Sequence, residues 1–240
     1  MLKSKPTFII LLLVLSVLQS AAQQGSEILI KANKASLERD YTKAYNLYTK
    51  YIQLNSTDFR GYFNRGTSAY NARRYTSAIQ DFTKTLQLNP IFLEAYYFRG
   101  QSYYHSKKYN EAIADYTSGL LKKPNNSSFL KLRAEAYTAN GKKDKALVDL
   151  NNAINADKLS GDLYKRRAEL KIQLNDIKGS IRDYNAVEKL IPTYKMVHYL
   201  KGKLYLQIKE VEFACEEFEK ALEHKIVVAD QLNKEYCTSM

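Results

Sequence analysis

The side chains able to do acid–base or metal chemistry are few and scattered along the chain. The three histidines, His105, His198 and His224, have no metal-ligating or nucleophilic partner at motif spacing. Glu216 and Glu217 are adjacent, so on a helix their carboxylates would point about 100° apart and could not act as a pair. The sequence also lacks a glycine-rich phosphate loop. We therefore expect no enzyme activity, no metal and no cofactor.

Residues 1–22 have the pattern of a secretory signal peptide. Lys3 and Lys5 precede an apolar run from Phe8 to Leu18, and small residues ending at Ala22 suit cleavage there. The run is shorter than the roughly 20 residues that span a bilayer. We expect an exported protein, periplasmic or extracellular, with no stable membrane insertion after cleavage. A structural module tethered to the membrane by an uncleaved leader is the alternative.

The two cysteines, Cys215 and Cys237, favour a disulfide. They lie equally far from a turn expected near Ile226, and an antiparallel helix hairpin brings such positions level. An exported protein also works where disulfides persist. We expect a Cys215–Cys237 disulfide to fix the C-terminal end of the fold in place. The alternative is two unpaired thiols.

Length and composition place the chain among soluble folded proteins. It has 240 residues, 45% of them hydrophobic, with only nine glycines and four prolines, which makes disorder and collagen-like structure improbable. The net charge of +12 is concentrated in the middle of the chain, where residues 122–182 hold 14 basic and 7 acidic side chains. This excess could attract an anionic partner, but a solvated lysine-rich surface explains it as well. We expect no nucleic-acid partner, because the chain has no RNA-reading motif and a leader for export.

The strongest pattern is a repeat of 34 residues without insertions or deletions. When repeat positions are counted from Gly25, position 8 is Ala or Gly and position 20 is Ala or Ser in every copy, whereas position 24 is Leu, Phe or Tyr. The small and large positions recur at helical spacing and predict two amphipathic helices per copy, joined near positions 15 and 16. Pro90, Pro124 and Pro192 at position 32 mark the end of the second helix. The six copies are residues 25–58, 59–92, 93–126, 127–160, 161–194 and 195–228.

These residues resemble the tetratricopeptide repeat (TPR) family. The clearest copies combine Tyr62–Gly66 with Ala78, Phe82 and Pro90, and Tyr96–Gly100 with Ala112, Tyr116 and Pro124. The resemblance implies an all-α fold, a right-handed α-solenoid of antiparallel helix hairpins, in a single domain over residues 23–240. It also implies a non-enzymatic protein that binds another protein through a concave groove lined by the first helices.

Charged residues repeat within the copies as well. Position 7 is basic and position 23 is acidic in copies two to six, and an antiparallel hairpin brings these two positions level. We predict a salt bridge in each of these copies, and none in the first, which has Lys31 and Leu47 there. As partly solvated pairs, each would contribute about 0 to 1 kcal/mol.

Positions 5, 9 and 12 form a separate stripe on each first helix, on the face that lines the groove in TPR proteins. The candidate partner-binding residues in copies two and three are Phe63, Tyr70, Asn71, Tyr97, Tyr104 and His105. They suit a protein or peptide segment with apolar anchors, bound by a scaffold or assembly factor. Two alternatives stay open: the rings only stack on one another, or they bind a small ligand, a glycan or a peptidoglycan fragment. The lysine, asparagine and arginine set of the family's carboxylate-clamp members is not reproduced.

The sequence after the sixth copy predicts a short capping helix over residues 229–238. Its Ala229, Leu232 and Tyr236 would cover the apolar face of the last copy, as the ends of solenoids require. The oligomeric state stays open.

Overall fold

The computed structural model describes the backbone of residues 5–237 and the side chains of residues 19, 20 and 23–237. Within this part of the chain the fold is all-α, as predicted, and contains no strand. Its helices are α1 (Lys5–Leu37), α2 (Tyr41–Leu54), α3 (Phe59–Asn71), α4 (Tyr75–Leu88), α5 (Leu93–His105), α6 (Tyr109–Lys122), α7 (Ser127–Ala139), α8 (Lys143–Ala156), α9 (Gly161–Gln173), α10 (Ile177–Leu190), α11 (Met196–Gln207), α12 (Val211–Glu223) and α13 (Asp230–Cys237), with a 3₁₀ turn at Val227–Ala229.

The expected signal peptide, residues 1–22, falls on the first part of α1 and the four residues before it. Apart from Gln19 and Ser20, its side chains lie outside the described residues. Among the residues that are described, no helix combines the length and apolar character of a bilayer-spanning segment.

The first twelve helices pair in chain order as six hairpins, α1 with α2 through α11 with α12. In the second to fifth hairpins the first helix spans repeat positions 1–13 and the second helix spans positions 17–30, so the sequence placed both helices and their joint correctly. Helices α1–α6 form one compact unit, ending at Lys122, and α7–α13 form another, beginning at Lys123. A single domain over residues 23–240 stays a prediction.

Every hairpin turns on one residue with positive φ at repeat position 15. The backbone N–H of the following residue donates to the carbonyl five residues before it, as Arg74 does to Ala69 at 2.8 Å. Only one of the six residues is glycine, which adopts this conformation without steric cost. The six residues are Arg39, Arg73, Lys107, Gly141, Asn175 and Lys209.

The small residue at position 8 lets the two helices of a hairpin approach each other. A Cβ atom on Gly100 would lie only 2.5 Å from Cε1 of Tyr116, and Tyr116 is itself 1% exposed. The fit of a small residue against a large ring, predicted from positions 8 and 24, is therefore present in the structure.

The predicted ion pairs form in all five hairpins that have both residues. In four of them an arginine donates through two nitrogens to one aspartate of the same hairpin. The closest N···O distances are 2.6 Å for Arg65–Asp81, 2.7 Å for Arg99–Asp115, 2.7 Å for Arg133–Asp149, 2.6 Å for Arg167–Asp183 and 2.9 Å for Lys201–Glu217.

These pairs are less solvated than the sequence suggested. The aspartate side chains are only 4–6% exposed and those of the arginines 17–19%. The estimate of 0 to 1 kcal/mol per pair was therefore wrong in its premise, because it assumed partly solvated charges. Removing one partner would leave a buried charge uncompensated.

The same basic residues also bond to the preceding hairpin. Arg99 donates from Nη1 to Oγ1 of Thr83 at 3.1 Å, so it joins α5 to α4 as well as to α6. The four such links that are described run from repeat position 7 to position 25 of the hairpin before it: Arg65 to Thr49, Arg99 to Thr83, Arg167 to Asn151 and Lys201 to Asn185. These four residues therefore fix the register both within their hairpin and against the preceding one.

Beyond α12 the chain folds back as the 3₁₀ turn and α13. Cys215 and Cys237 form a disulfide, with their Cα atoms 5.6 Å apart. Ala229 is fully buried and Leu232 is half-buried, but the prediction for Tyr236 was wrong, because it is 42% exposed. Residue 238, the last of the expected capping helix, lies outside the described residues.

Candidate partner-binding surface

The six candidate residues lie on two neighbouring helices of the N-terminal unit. Helix α3, which begins after the capping side chain of Asp58 (Oδ1 accepts from the Arg60 N–H at 3.0 Å), carries three of them. Helix α5 carries the other three and packs against α3. The residues are Phe63, Tyr70 and Asn71 on α3, and Tyr97, Tyr104 and His105 on α5.

Phe63 is mainly a packing residue. Its ring centroid lies 4.8 Å from that of Phe92, in the loop just before α5, and 5.8 Å from that of Phe98 on α5. It also lies 5.7 Å from Phe82 in the core of its own hairpin. For this residue the alternative of stacking between neighbouring copies describes the contacts, and its removal would disturb the fold.

Tyr70 joins α3 to α5 through a hydrogen bond and ring contacts. Its hydroxyl donates to Oε1 of Gln101 at 2.7 Å and lies 3.3 Å from Nε2 of His105. The imidazole of His105 in turn stacks on Tyr75 with ring centroids 5.0 Å apart. Burial raises the pKa of Tyr70 further above the neutral range, so its hydroxyl stays a donor.

The remaining candidates combine fixed rings with accessible polar groups. Tyr97 and Tyr104 are half-buried, and their rings pack edge-on against Phe98 and His105 respectively. Asn71 and His105 are exposed at the C-terminal ends of their helices. We refer to Tyr70, Asn71, Tyr97, Gln101, Tyr104 and His105 as the aromatic patch. Its rings are already ordered, so binding to it would immobilise few side chains.

Comparison with known proteins identifies the repeat. A family model described as "Tetratricopeptide repeat" matches residues 63–126, a segment that contains the entire aromatic patch. Residues 63–126 are tetratricopeptide repeats. No curated protein sequence matches the chain.

Solved structures share the fold of this chain at low sequence identity. MamA from Desulfovibrio magneticus RS-1 has a TM-score of 0.67 at 16% identity, over 71% of this chain and 96% of that one. YrrB, described as a TPR protein with an unusual peptide-binding site, has a TM-score of 0.64 at 20% identity, over 78% of this chain and 97% of its own. At these identities the likeness concerns the fold alone.

The first helices of the hairpins in the C-terminal unit carry a different surface. Lys131 bonds to Asp162 at 3.1 Å, and Arg166 lies 3.4 Å from Glu135 and 3.7 Å from Asp162. Burial raises the pKa of the Glu135 carboxyl, although Arg166 and Lys131 oppose it. The charges of these four side chains on α7 and α9 therefore neutralise one another.

Sequence reasoning missed two contributors to the aromatic patch and its support. Gln101 occupies repeat position 9, a groove position, but was not among the six candidates, and neither was Tyr75 at position 17. Tyr70 and Gln101 lie on neighbouring hairpins, so the 34-residue repeat alone does not reveal their bond. Among the described residues, no group of three or more His, Cys, Asp or Glu side chains could hold a metal ion.

Proposed function

We propose that this protein is an exported, non-enzymatic scaffold or assembly factor that binds a protein or peptide segment on the aromatic patch. The observation that supports the site is the set of tyrosine and histidine rings on α3 and α5, held in place by Phe98, Gln101 and Tyr75. TPR repeats commonly mediate protein–protein interaction, and YrrB is described as peptide-binding. The proposal extends that kind of function to this chain.

The chemistry of the patch suits a segment with both apolar and main-chain contacts. The half-buried faces of Tyr97 and Tyr104 offer rigid apolar area, and such aromatic anchors dominate the energy of many interfaces. The Asn71 amide and the His105 imidazole are exposed and can bond to the peptide backbone. The patch contains no lysine, arginine or carboxylate, so we expect the partner to bind it without a charged anchor residue.

Replacing both Tyr97 and Tyr104 by alanine should strongly weaken peptide binding. Peptides selected on the wild-type protein from a random displayed library should bind the double variant at least about tenfold more weakly, since two hot-spot rings are lost. Fluorescence anisotropy with the selected peptides measures the change. Phe63 is left intact, because its contacts are internal to the fold.

The matched control is Tyr41→Ala, which removes a tyrosine from the start of α2, outside the patch. Peptides that bind wild type, control and double variant equally would place the binding site elsewhere. A thermal shift produced by peptidoglycan fragments, with no peptide selected, would instead support a glycan-binding protein.

Export is the second part of the proposal, and it rests on the pattern of residues 1–22 and on the disulfide. N-terminal sequencing of the protein isolated from its native cells should begin at Gln23. A chain that still carries Met1 and sediments with membranes would support the tethered module instead.

A further inference from the structure

The last hairpin lacks the tyrosine that the second, third and fifth hairpins have at repeat position 4. At repeat position 4, the hydroxyls of Tyr62 and Tyr96 donate to the carbonyls of Ser56 and Pro90, residues of the preceding loop, at 3.2 and 3.1 Å. The corresponding residue of α11 is His198, whose ring is shorter. A cavity of about 320 Å³ lies beside it, walled by the equivalent loop of Ile191 and Pro192 and by α12.

His198 presents one unpartnered ring nitrogen in this cavity. The residue is only 5% exposed, and its Nδ1 lies 2.8 Å from Oε2 of Glu217. Nε2 has no hydrogen-bond partner among the described residues, and solvent can reach it. A buried imidazole fixed on one side and open on the other is a typical arrangement of a binding group.

The groups around the cavity carry an excess of positive charge. Lys201 bonds to Glu188 at 2.6 Å and to Glu217 at 2.9 Å, so both carboxylates are already engaged. Lys195 and Lys220 line the cavity as well. The three ammonium groups of Lys195, Lys201 and Lys220 and the two carboxylates of Glu188 and Glu217 sum to one positive charge, with His198 counted as neutral.

A second imidazole adds to this excess. The ring of His224, at the end of α12, stacks on that of His198 with centroids 5.5 Å apart. The surplus of cations disfavours a metal ion, and the described residues offer no group of three metal ligands. The remaining walls are apolar and include Val197, which is 2% exposed.

We propose that this cavity binds a small organic carboxylate. The carboxylate accepts hydrogen bonds from Nε2–H of His198 and from the ammonium of Lys220, and the apolar part of the ligand lies against Ile191, Pro192 and Val197. The volume is at the lower end of the range for small-molecule sites. This inference does not depend on the aromatic patch, which lies in the other unit.

Binding should be tighter at lower pH. His198 can donate from Nε2 while Nδ1 donates to Glu217 only when both ring nitrogens carry a proton. The charged groups around it are Glu188 on α10, Lys195 at the start of α11, Lys201 on α11, and Glu217 and Lys220 on α12, together with the titratable Tyr194 and His224. We expect affinity to rise as the pH falls.

The test is an NMR titration of the mature protein with N-acetylleucine, which pairs a carboxylate with an apolar side chain. At pH 6 we expect saturable shifts of the His198, Val197 and Lys220 signals, with a Kd of about 1 mM or tighter. N-acetylleucinamide, which is neutral, should bind at least tenfold more weakly. No saturable shift with the acid, or equal binding of acid and amide, would overturn the proposal.

Two variants and one control locate the site. His198→Tyr introduces the residue that the second, third and fifth hairpins have at this position, and it should fill the cavity and abolish binding. Lys220→Gln, at a side chain that is 47% exposed, should weaken binding at least fivefold without affecting the fold, and so keeps the test valid if H198Y is misfolded. Lys189→Gln, exposed and outside the cavity, should change nothing. Binding of inorganic phosphate or Zn²⁺ but not of N-acetylleucine would also refute the carboxylate assignment.

Discussion

Replacing Arg99 by alanine should lower the free energy of unfolding by about 3 to 5 kcal/mol, the usual cost of breaking a buried ion pair from one side. The Asp115 carboxylate, 6% exposed, would lose both of its bonds to the guanidinium and stay buried. The bond to Thr83 of the preceding hairpin would be lost as well. Urea denaturation followed by circular dichroism measures the change.

Two controls separate burial from charge. Lys34→Ala removes a cation whose pair with Glu38 is largely exposed (76% and 54%), and should cost less than about 1 kcal/mol. The double variant Arg99→Leu/Asp115→Leu replaces both charges by apolar side chains and should recover most of the loss. If R99A is no more destabilising than K34A, the pair is solvated in solution and the argument from burial fails.

The pH dependence of the pair can be checked on the same variants. Burial raises the pKa of the Asp115 carboxyl, and the hydrogen bonds from Arg99 only partly oppose this. The folded state therefore holds the proton more tightly than the unfolded state. The Asp115 carboxyl therefore contributes its full stabilisation below pH 3.8, the pKa of this group in the unfolded chain. That stabilisation is lost as the pH rises through the raised pKa of the folded state. Wild type should thus gain stability relative to R99L/D115L as the pH falls from 7 towards 4, and the reverse trend would contradict the raised pKa.

The ion pairs illustrate what the sequence can predict. Both partners lie within one hairpin, and a register counted from an ungapped repeat is enough to pair repeat position 7 with position 23. The link from Arg99 to Thr83 depends on how far one hairpin is shifted along the next, and no periodicity in a single sequence measures that shift. The same limit applies to the contact of Phe63 with Phe98, which lies in the neighbouring hairpin.

The turns and the last hairpin show a second limit. Only Gly141 and Asn175 are residue types that favour the positive φ at repeat position 15. At the other four positions the backbone bonds of the hairpin impose this conformation on arginine or lysine. The change from tyrosine to His198 was visible in the sequence as a departure from the repeat. The side-chain positions in the structure were needed to show that this change leaves a cavity and that Glu217 bonds to Nδ1 of His198.

Removing the Cys215–Cys237 disulfide should cost about 3 kcal/mol, the amount expected for a loop of this length. The effect should concentrate on α13. This helix has eight residues and none of them is buried, and helices this short are not stable alone in water. The reduced protein should therefore lose amide protection throughout α13 while α12 stays protected, as hydrogen–deuterium exchange with and without a phosphine reductant would show.

The variant Cys215→Ala/Cys237→Ala is the matched control for the reductant, which should have no effect on it. Release of α13 and of the turn before it would uncover the cluster of Ala214, Phe218 and Ala221 that Ala229 covers in the oxidised protein. Exposed apolar ends of solenoids associate, so the reduced protein should also form larger species at high concentration in analytical ultracentrifugation. If α13 keeps its protection after reduction, side-chain contacts such as that of Leu232 hold it in place, and the disulfide is not what fastens the end of the fold.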